Sequence, residues 1–471
     1  MTSDQVNGDR EVEEIRSDAL VFFGATGDLA RKKIFPGLLA LSRRGRLSLP
    51  VIGVARSDLT REQFIARAAE SVKEAGRFDA AAFAELAKHL SYVAVDYDHP
   101  AGFARLRAAL GSAHHPTYYL AIPPSSFESV LKRLQEAGCA THGRVILEKP
   151  FGRDLVSARA LNRTLRAVFP EHEVFRIDHY LGKEAVQNIL YSRFSNTFFE
   201  PVWNRGHVDN VQITMAETMG IKGRGKFYEE AGVVRDVIQN HLLQVVSYLA
   251  MEPPSGAYWD AIRDEQVKVL RSIRPIRPDD LVRGQFRGYR DEPDVDRASR
   301  VPTYAAARFT IDSWRWQGVP FIVRAGKCLK ETRTEVLVEL KNPPVSVFGE
   351  PPPSAGNQVR FRLSPDIVVA IGVRAKRGGE RMLGETIELA MVQHAQQGDD
   401  GRMEAYERLI GDALWGDPTL FARQDVVEAA WRVVDPILDD QLPLIEYEPG
   451  SWGPREADRL VADLDGWSEP P

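Results

Sequence analysis

The densest chemistry in this sequence lies in Arg176-Ile177-Asp178-His179-Tyr180-Leu181-Gly182-Lys183-Glu184. Asp, His, Tyr and Lys crowd together there behind the apolar approach Val174-Phe175, too densely for an ordinary core segment. His179 and Lys183 are four apart, so a helix starting here would put them on one face. An imidazole, an ammonium and a neighbouring phenol are suited to holding a phosphate. Asp178 precedes them and can orient a catalytic histidine elsewhere in the chain. The bland alternative is a solvated loop and a capped helix start, and the surrounding elements must decide between the two.

Those elements begin with a short apolar run, Ala19 to Phe23, ending in Gly24-Ala25-Thr26-Gly27-Asp28-Leu29 and then a helical pattern with Pro36 and Gly37 as blemishes. Strand, glycine turn and helix is the geometry that points backbone N–H groups at a pyrophosphate. The spacing here is G-x-x-G-x-x-A rather than G-x-G-x-x-G, so by itself it is a weak signal. The next apolar run, Pro50 to Ala55, ends in Arg56-Ser57. NAD-binding folds place a carboxylate at that point for the ribose 2′-hydroxyl, whereas a guanidinium grips a 2′-phosphate. The reading is therefore NADP, against the plainer reading of an exposed arginine at a strand end. Further apolar runs at 91–96, 116–122 and 143–148 alternate with helical patterns, one of them opened by a Thr60/Gln63 capping box. This alternation predicts a Rossmann-like, doubly wound parallel sheet. Lys149 follows the last of these strands, where such sheets bind ligands, and Pro150 is a candidate cis proline.

Beyond the 176–184 knot the pattern changes. Val211, Ile213 and Met215 alternate with Asn210, Gln212 and Thr214, and similar alternation recurs near 305–312, 336–340 and 359–363. This predicts a larger α+β domain with a half-exposed, mostly antiparallel sheet backed by helices. One long helix is expected from Glu229 to Ala250, with Val234, Ile238, His241 and Val245 on one face at 3.6-residue spacing. His241 then points inward, either as a satisfied core histidine or, with Asp236, Arg235, Gln239 and Asn240 nearby, as part of a lined pocket. Glu217 closes one strand, and Arg324 and Lys327 close another. Helices near 406–414 and 425–438 read as scaffold, and Pro343 to Pro353 as a loop. The expected division is a disordered tail at 1–18, a coenzyme domain at 19–175 and a substrate and oligomerisation domain at 176–471. The boundary near Phe175 would set the knot at a domain seam, where ligand clefts are common.

The composition narrows the class. The 471 residues are 44% hydrophobic, with 61 basic and 66 acidic residues and a net charge of −5. Charges so evenly mixed argue against a nucleic-acid or membrane-surface protein. The only two cysteines, Cys139 and Cys328, and ten scattered histidines predict neither a disulfide scaffold nor a metal site. No apolar run approaches the roughly 20 residues of a membrane span. Met1 to Asp18 lacks the apolar core of a signal peptide, and a cytoplasmic location is expected.

Taken together, GATGDLARKK (24–33), GVARS (53–57), EKPFGRDL (148–155), RIDHYLGKE (176–184), VDNVQIT (208–214), RDVIQNHLLQV (235–245) and GDPTLFARQDVVEAAW (416–431) resemble the glucose-6-phosphate dehydrogenase family along nearly the whole chain. The resemblance implies NADP-linked oxidation of D-glucose 6-phosphate at C1 to 6-phospho-D-glucono-1,5-lactone, the first step of the oxidative pentose phosphate pathway. It makes His241 the general base and Asp178 the carboxylate that orients it. It makes His179, Tyr180 and Lys183 ligands of the sugar phosphate, and Glu217 and Asp236 partners of sugar hydroxyls. Lys327 becomes a further substrate cation, and Lys149 stands between coenzyme and substrate. Gly24, Thr26, Gly27, Arg56 and Tyr119 match coenzyme positions. A homodimer or homotetramer joined through the large sheet is also implied. There is one departure: the second cation usual about five residues after Lys327 is replaced by Thr332, followed by Arg333.

Two other readings compete. A sugar oxidoreductase of the Gfo/Idh/MocA type shares the Glu-Lys-Pro strand end but needs no cationic phosphate site, so His179, Lys183 and Lys327 count against it. A non-catalytic NADP sensor similar to NmrA-like proteins would lack a base with its orienting carboxylate, so Asp178 and His241 count against that.

Overall fold

The computed structural model describes residues 16–256, 259–348, 356–393 and 403–468. Most of the expected tail, 1–15, and part of the expected proline-rich loop, 349–353, lie outside the described residues. The chain divides into two compact units, and the division differs from the expected boundary at Phe175. The first unit takes residues up to Phe151, then Ala160–Gly182 and Met403–Arg423; the second takes Gly152–Arg159, 183–402 and 424 onward.

The first unit is built on six strands: β1 (Ala19–Phe23), β2 (Val51–Ala55), β3 (Leu90–Ala94), β4 (Pro116–Leu120), β5 (Arg144–Glu148) and β6 (Val174–Ile177). All pair in parallel in the order β3-β2-β1-β4-β5-β6, which is the doubly wound arrangement expected. Strands β1, β2 and β4 are buried along their whole length, as apolar strands covered on both faces must be. The capping box forms as the sequence predicts: the Gln63 amide N–H donates to Thr60 Oγ1 (3.3 Å) and the Thr60 N–H to Gln63 Oε1 (2.8 Å). The Pro36 and Gly37 blemishes have a local explanation. A π-helical turn at Ala30–Ile34 precedes the α-helix Phe35–Arg43, so Pro36 falls in that helix's first turn, where its missing N–H costs nothing.

The helix Ala405–Trp415, expected to be scaffold of the second domain, packs on Phe35–Arg43 in the first unit. Arg44 Nε donates to Glu407 Oε1 at 2.6 Å across this contact, and Leu409, Ile410 and Ala413 join the core that holds Phe22, Phe35 and Phe175. Sequence distance hid this association, because 227 residues (178–404) separate β6 from the helix.

Among the described residues the second unit carries nine strands: β7 (Val208–Ala216), β8 (Leu281–Phe286), β9 (Tyr304–Thr310), β10 (Pro320–Gly326), β11 (Arg333–Leu340), β12 (Gln358–Ser364), β13 (Ile367–Lys376), β14 (Gly384–Gln393) and β15 (Ile445–Tyr447). Their order is β14-β13-β12-β11-β7-β10-β9-β8-β15. The pairing is antiparallel except at β7–β10 and β8–β15. The expectation that β7 is half-exposed needs correction. Asn210 and Gln212, on its polar side, are buried as fully as Val211 and Ile213. Asn210 Nδ2 donates to Glu339 Oε2 (2.7 Å) and Gln212 Nε2 to the Gly466 carbonyl (3.1 Å), so the polar face is covered and satisfied.

Candidate active site

The first unit gathers its candidate residues where strands end, at the carboxyl edge at which open parallel sheets bind ligands. Gly24 follows β1 with φ +78°, and a Cβ there would lie 2.1 Å from the Ala121 carbonyl oxygen beyond β4. Only glycine allows the two strand ends to approach this closely. Gly27 closes the turn, its N–H donating to the Gly24 carbonyl at 2.9 Å, and the Thr26 carbonyl accepts from Arg67 Nη2 at 3.2 Å. Arg56 follows β2. Its guanidinium is largely exposed, 5.3 Å from the Tyr97 ring centroid and 3.8 and 3.6 Å from Asp96 and Asp98 carboxylate oxygens. These distances exceed hydrogen-bond range, and exposed pairs of this kind are weak, so the guanidinium can turn to a phosphate. The Gly24 N–H donates to Tyr97 Oη at 3.2 Å, so one tyrosine links the glycine turn to Arg56. Sequence reasoning did not single out Tyr97. An exposed arginine and a tight glycine turn at adjacent strand ends fit a dinucleotide carrying a 2′-phosphate.

Tyr119 stands differently from the other coenzyme candidates. It is completely buried, within the core cluster, and its hydroxyl donates to Glu148 Oε1 at 2.5 Å. Tyr406 lies beside Glu148, the last residue of β5. Burial pushes the Glu148 carboxyl up to about 7, against the pull of the Tyr119 hydrogen bond, the Lys149 ammonium and Tyr406. Lys149 comes next, half-buried, and its bond to Pro150 is cis.

The knot forms around β6. Arg176 is completely buried and serves the fold: Nη1 donates to Glu171 Oε1 (2.7 Å) and Nη2 to Asn162 Oδ1 (3.0 Å). Asp178, also buried, accepts the Tyr180 N–H on Oδ1 at 3.0 Å. The helix begins only at Glu184, so His179 lies in the preceding turn, and the one-face argument for His179 and Lys183 does not apply. His179 meets Tyr180 edge-on at 5.2 Å and stacks on Tyr406 at 6.4 Å with an interplanar angle of 16°. Gly182 is closely packed here, since a Cβ would meet the Leu409 side chain at 3.0 Å and the leucine would have to shift.

In the second unit Lys183 caps the start of Glu184–Ser195. Glu217 follows β7 and Lys327 follows β10, the one parallel neighbour of β7 in the sheet, and their side chains form an ion pair through Lys327 Nζ and Glu217 Oε2. The expected single helix 229–250 is three segments. Gly232, at φ +57°, breaks the first, Gly225–Val233; a π-helix, Val234–Leu242, follows, then the α-helix Leu243–Ala250. The 3.6-residue spacing used to orient His241 therefore does not hold. In a π-helix the hydrogen bonds run i to i+5 and the turn is wider, so Asp236 and His241 lie roughly one turn apart. His241 is buried, as the apolar stripe required. Thr332 is committed to Thr218, whose N–H and hydroxyl it meets at 3.0 and 2.9 Å, and Arg333 to Glu331 at 3.2 Å and Glu335 at 3.7 Å. Arg333 thus faces carboxylates of its own strand and turn.

The raised Glu148 carboxyl carries a pH consequence. Below about 4.5, the ordinary value, it is protonated whether the chain is folded or not; between 4.5 and about 7 only the folded chain keeps the proton. Stability therefore falls as pH rises through that window. Glu148→Gln, which has no charge to bury, is expected to gain on the wild type in melting temperature from pH 5 to pH 8. A constant difference across that range would refute the assignment.

Comparison with known proteins agrees with this geometry. The family description "Glucose-6-phosphate dehydrogenase, NAD binding domain" matches residues 21–188, and "Glucose-6-phosphate dehydrogenase, C-terminal domain" matches 190–468. The glucose-6-phosphate 1-dehydrogenase 1 of Mycobacterium tuberculosis is 41% identical over 455 residues, 96% of this chain and 97% of its own. The cytoplasmic glucose-6-phosphate 1-dehydrogenase 6 of Arabidopsis thaliana is 39% identical, over 94% of this chain and 90% of its own. The crystal structure of the Mycobacterium avium glucose-6-phosphate 1-dehydrogenase superposes with a TM-score of 0.90 at 42% identity, covering 97% of this chain and 99% of the other. A glucose-6-phosphate dehydrogenase in complex with its substrate glucose-6-phosphate gives 0.88 at 36% identity, covering 97% and 100%. No described helix is long and apolar enough to cross a membrane. Two adjoining family matches that together span nearly the whole chain, and relatives of about 40% identity along its length, place this chain in the glucose-6-phosphate dehydrogenase family.

Proposed function

We propose that the chain oxidises D-glucose 6-phosphate at C1 with NADP, releasing 6-phospho-D-glucono-1,5-lactone. The observation that carries this reading is the full-length similarity to glucose-6-phosphate 1-dehydrogenases, one of them solved in complex with glucose-6-phosphate. NADP, when bound, accepts the hydride. The chain's own residues do the rest. His241 takes the C1 hydroxyl proton, since loss of hydride from C1 leaves a carbonyl only if that proton departs. Asp178 orients the imidazole and stabilises its cation. His179, Tyr180 and Lys183 hold the phosphate, Glu217 and Asp236 the sugar hydroxyls, and Lys327 holds Glu217 in place through their ion pair. Lys149 stands beside both reactants. Gly24, Thr26 and Gly27 seat the pyrophosphate and Arg56 the 2′-phosphate. Tyr119 acts behind the coenzyme, through Glu148, rather than as a direct ligand.

The first experiment is the rise in absorbance at 340 nm with purified protein, glucose 6-phosphate and either coenzyme. A fast NADP-dependent rise, absent with free glucose, is expected; no rise in a protein that binds NADP would favour the non-catalytic sensor. Arg56→Ala is expected to raise the KM for NADP by about tenfold or more, the loss of one charge-assisted phosphate contact, and to leave that for NAD nearly unchanged. Equal effects on both coenzymes would remove the 2′-phosphate role.

A homodimer or homotetramer is part of the same proposal. Strand β14 is the outer strand of the large sheet and exposes Ile387, Leu389 and Met391, with Leu389 62% exposed. Unpaired edges and contiguous apolar surface of this kind are normally covered, and a second copy of this chain is the occupant proposed here. Light scattering is expected to show the dimer or tetramer for the wild type and a shift to monomer for Leu389→Arg; an unchanged mass would place the interface elsewhere. Cytoplasmic location fits the names of the plant relatives.

A further inference from the structure

Tyr119, Glu148, Tyr406 and His179 follow one another in the first unit, and Tyr406 among them has no role in the steps above. Tyr119, on β4, donates its hydroxyl to Glu148 at the end of β5. Tyr406, from the helix Ala405–Trp415, lies beside the same carboxyl. The face of the Tyr406 ring then lies on the imidazole of His179, nearly parallel at 16°, while Tyr180 closes the other approach edge-on. The Lys33 ammonium lies 5.9 Å from the Tyr406 ring centroid.

This arrangement has a physical purpose that packing alone does not require. A histidine in a turn can rotate broadly about χ2, and a phosphate ligand must present one ring nitrogen in one direction. The His179 turn precedes the helix, so no helical hydrogen bonds hold its backbone. Two tyrosine rings flank its imidazole. Tyr406 in turn lies beside Glu148, whose carboxyl accepts from the completely buried Tyr119. Pre-organisation of this kind saves the ordering cost at binding and appears as affinity.

We propose that Tyr406 is a positioning residue for phosphate recognition: its ring holds the His179 imidazole in the orientation that accepts the sugar phosphate, and the Glu148 carboxyl holds Tyr406. The inference rests on the reading of His179 as a phosphate ligand and names the device that makes that ligand effective. It predicts a selective effect on phosphate affinity. Tyr406→Leu is expected to raise the KM for glucose 6-phosphate about tenfold and to raise the inhibition constant of inorganic phosphate in parallel, with kcat falling far less. Tyr406→Phe keeps the stacked ring but loses its anchor, and is expected to fall between the wild type and the leucine variant. Tyr406→Met fills similar space without a planar ring and replaces the leucine variant if that one fails to fold. His179→Ala is the reference. If it leaves both constants unchanged, the phosphate role of His179 itself fails. If it raises them and neither Tyr406→Leu nor Tyr406→Met does, the positioning role of Tyr406 is overturned. An equal fall in kcat and rise in every KM, NADP included, would mark Tyr406 as merely structural and overturn it as well.

Discussion

Replacing His241 by asparagine is expected to lower kcat by about 10²–10⁴-fold, the usual contribution of a positioned general base. The KM for glucose 6-phosphate should change little, because the phosphate and most hydroxyl contacts belong to other residues. The asparagine fits the space of the imidazole and keeps a polar group on the π-helix Val234–Leu242. The competing account makes His241 a satisfied core histidine, since it is buried. The two accounts separate cleanly. A core role predicts a lower melting temperature with KM and kcat moving together, whereas a base predicts near-normal melting and binding with lost turnover. Steady-state kinetics and thermal unfolding of one variant decide the matter.

Gly24→Ala should show the largest effect on the fold of the coenzyme unit. An L residue at φ +78° is strained by of order 1 kcal/mol or more. The added methyl also meets the Ala121 carbonyl oxygen at 2.1 Å, which is backbone and cannot turn aside. Strands β1 and β4 must therefore part at the end where the sheet receives its ligand. A loss of about 2–4 kcal/mol in urea unfolding is expected, together with a KM for NADP raised by more than that for glucose 6-phosphate. Wild-type stability with unaltered NADP affinity would mean that the turn opens without cost and does not seat the pyrophosphate.

The two units were unequally legible. In the first, five of the six strands read as short, largely apolar runs between helical patterns, and such an alternation yields a parallel sheet almost by itself. Only β6 escaped, since the buried Arg176 interrupts its apolar character, and that charge is tolerable through Glu171 and Asn162. In the second unit the alternation of β7 correctly marked a strand but wrongly suggested solvent. Polar side chains there are paired with Glu339 and with the backbone near residue 466, partners that no local pattern reveals.

The sequence by itself determined the chemistry on offer: a glycine turn with Arg56 for the coenzyme, the Asp178-to-Lys183 cluster for a phosphate, and a histidine carried on an apolar stripe. These depend on residue type and short spacing, which the chain displays directly. Tertiary structure decided how they are held. The π-helical path around His241 replaces the 3.6-residue repeat, because the i to i+5 hydrogen bonds there arise from packing rather than from any residue's intrinsic preference. The turn at His179 replaces the expected helix start. Tyr119 proved to be a buried anchor for Glu148, and Tyr406 reaches His179 only because a helix from residues 405–415 packs into the first unit. A contact across 227 positions (179 to 406) leaves no mark in local composition; it exists only once the chain has folded.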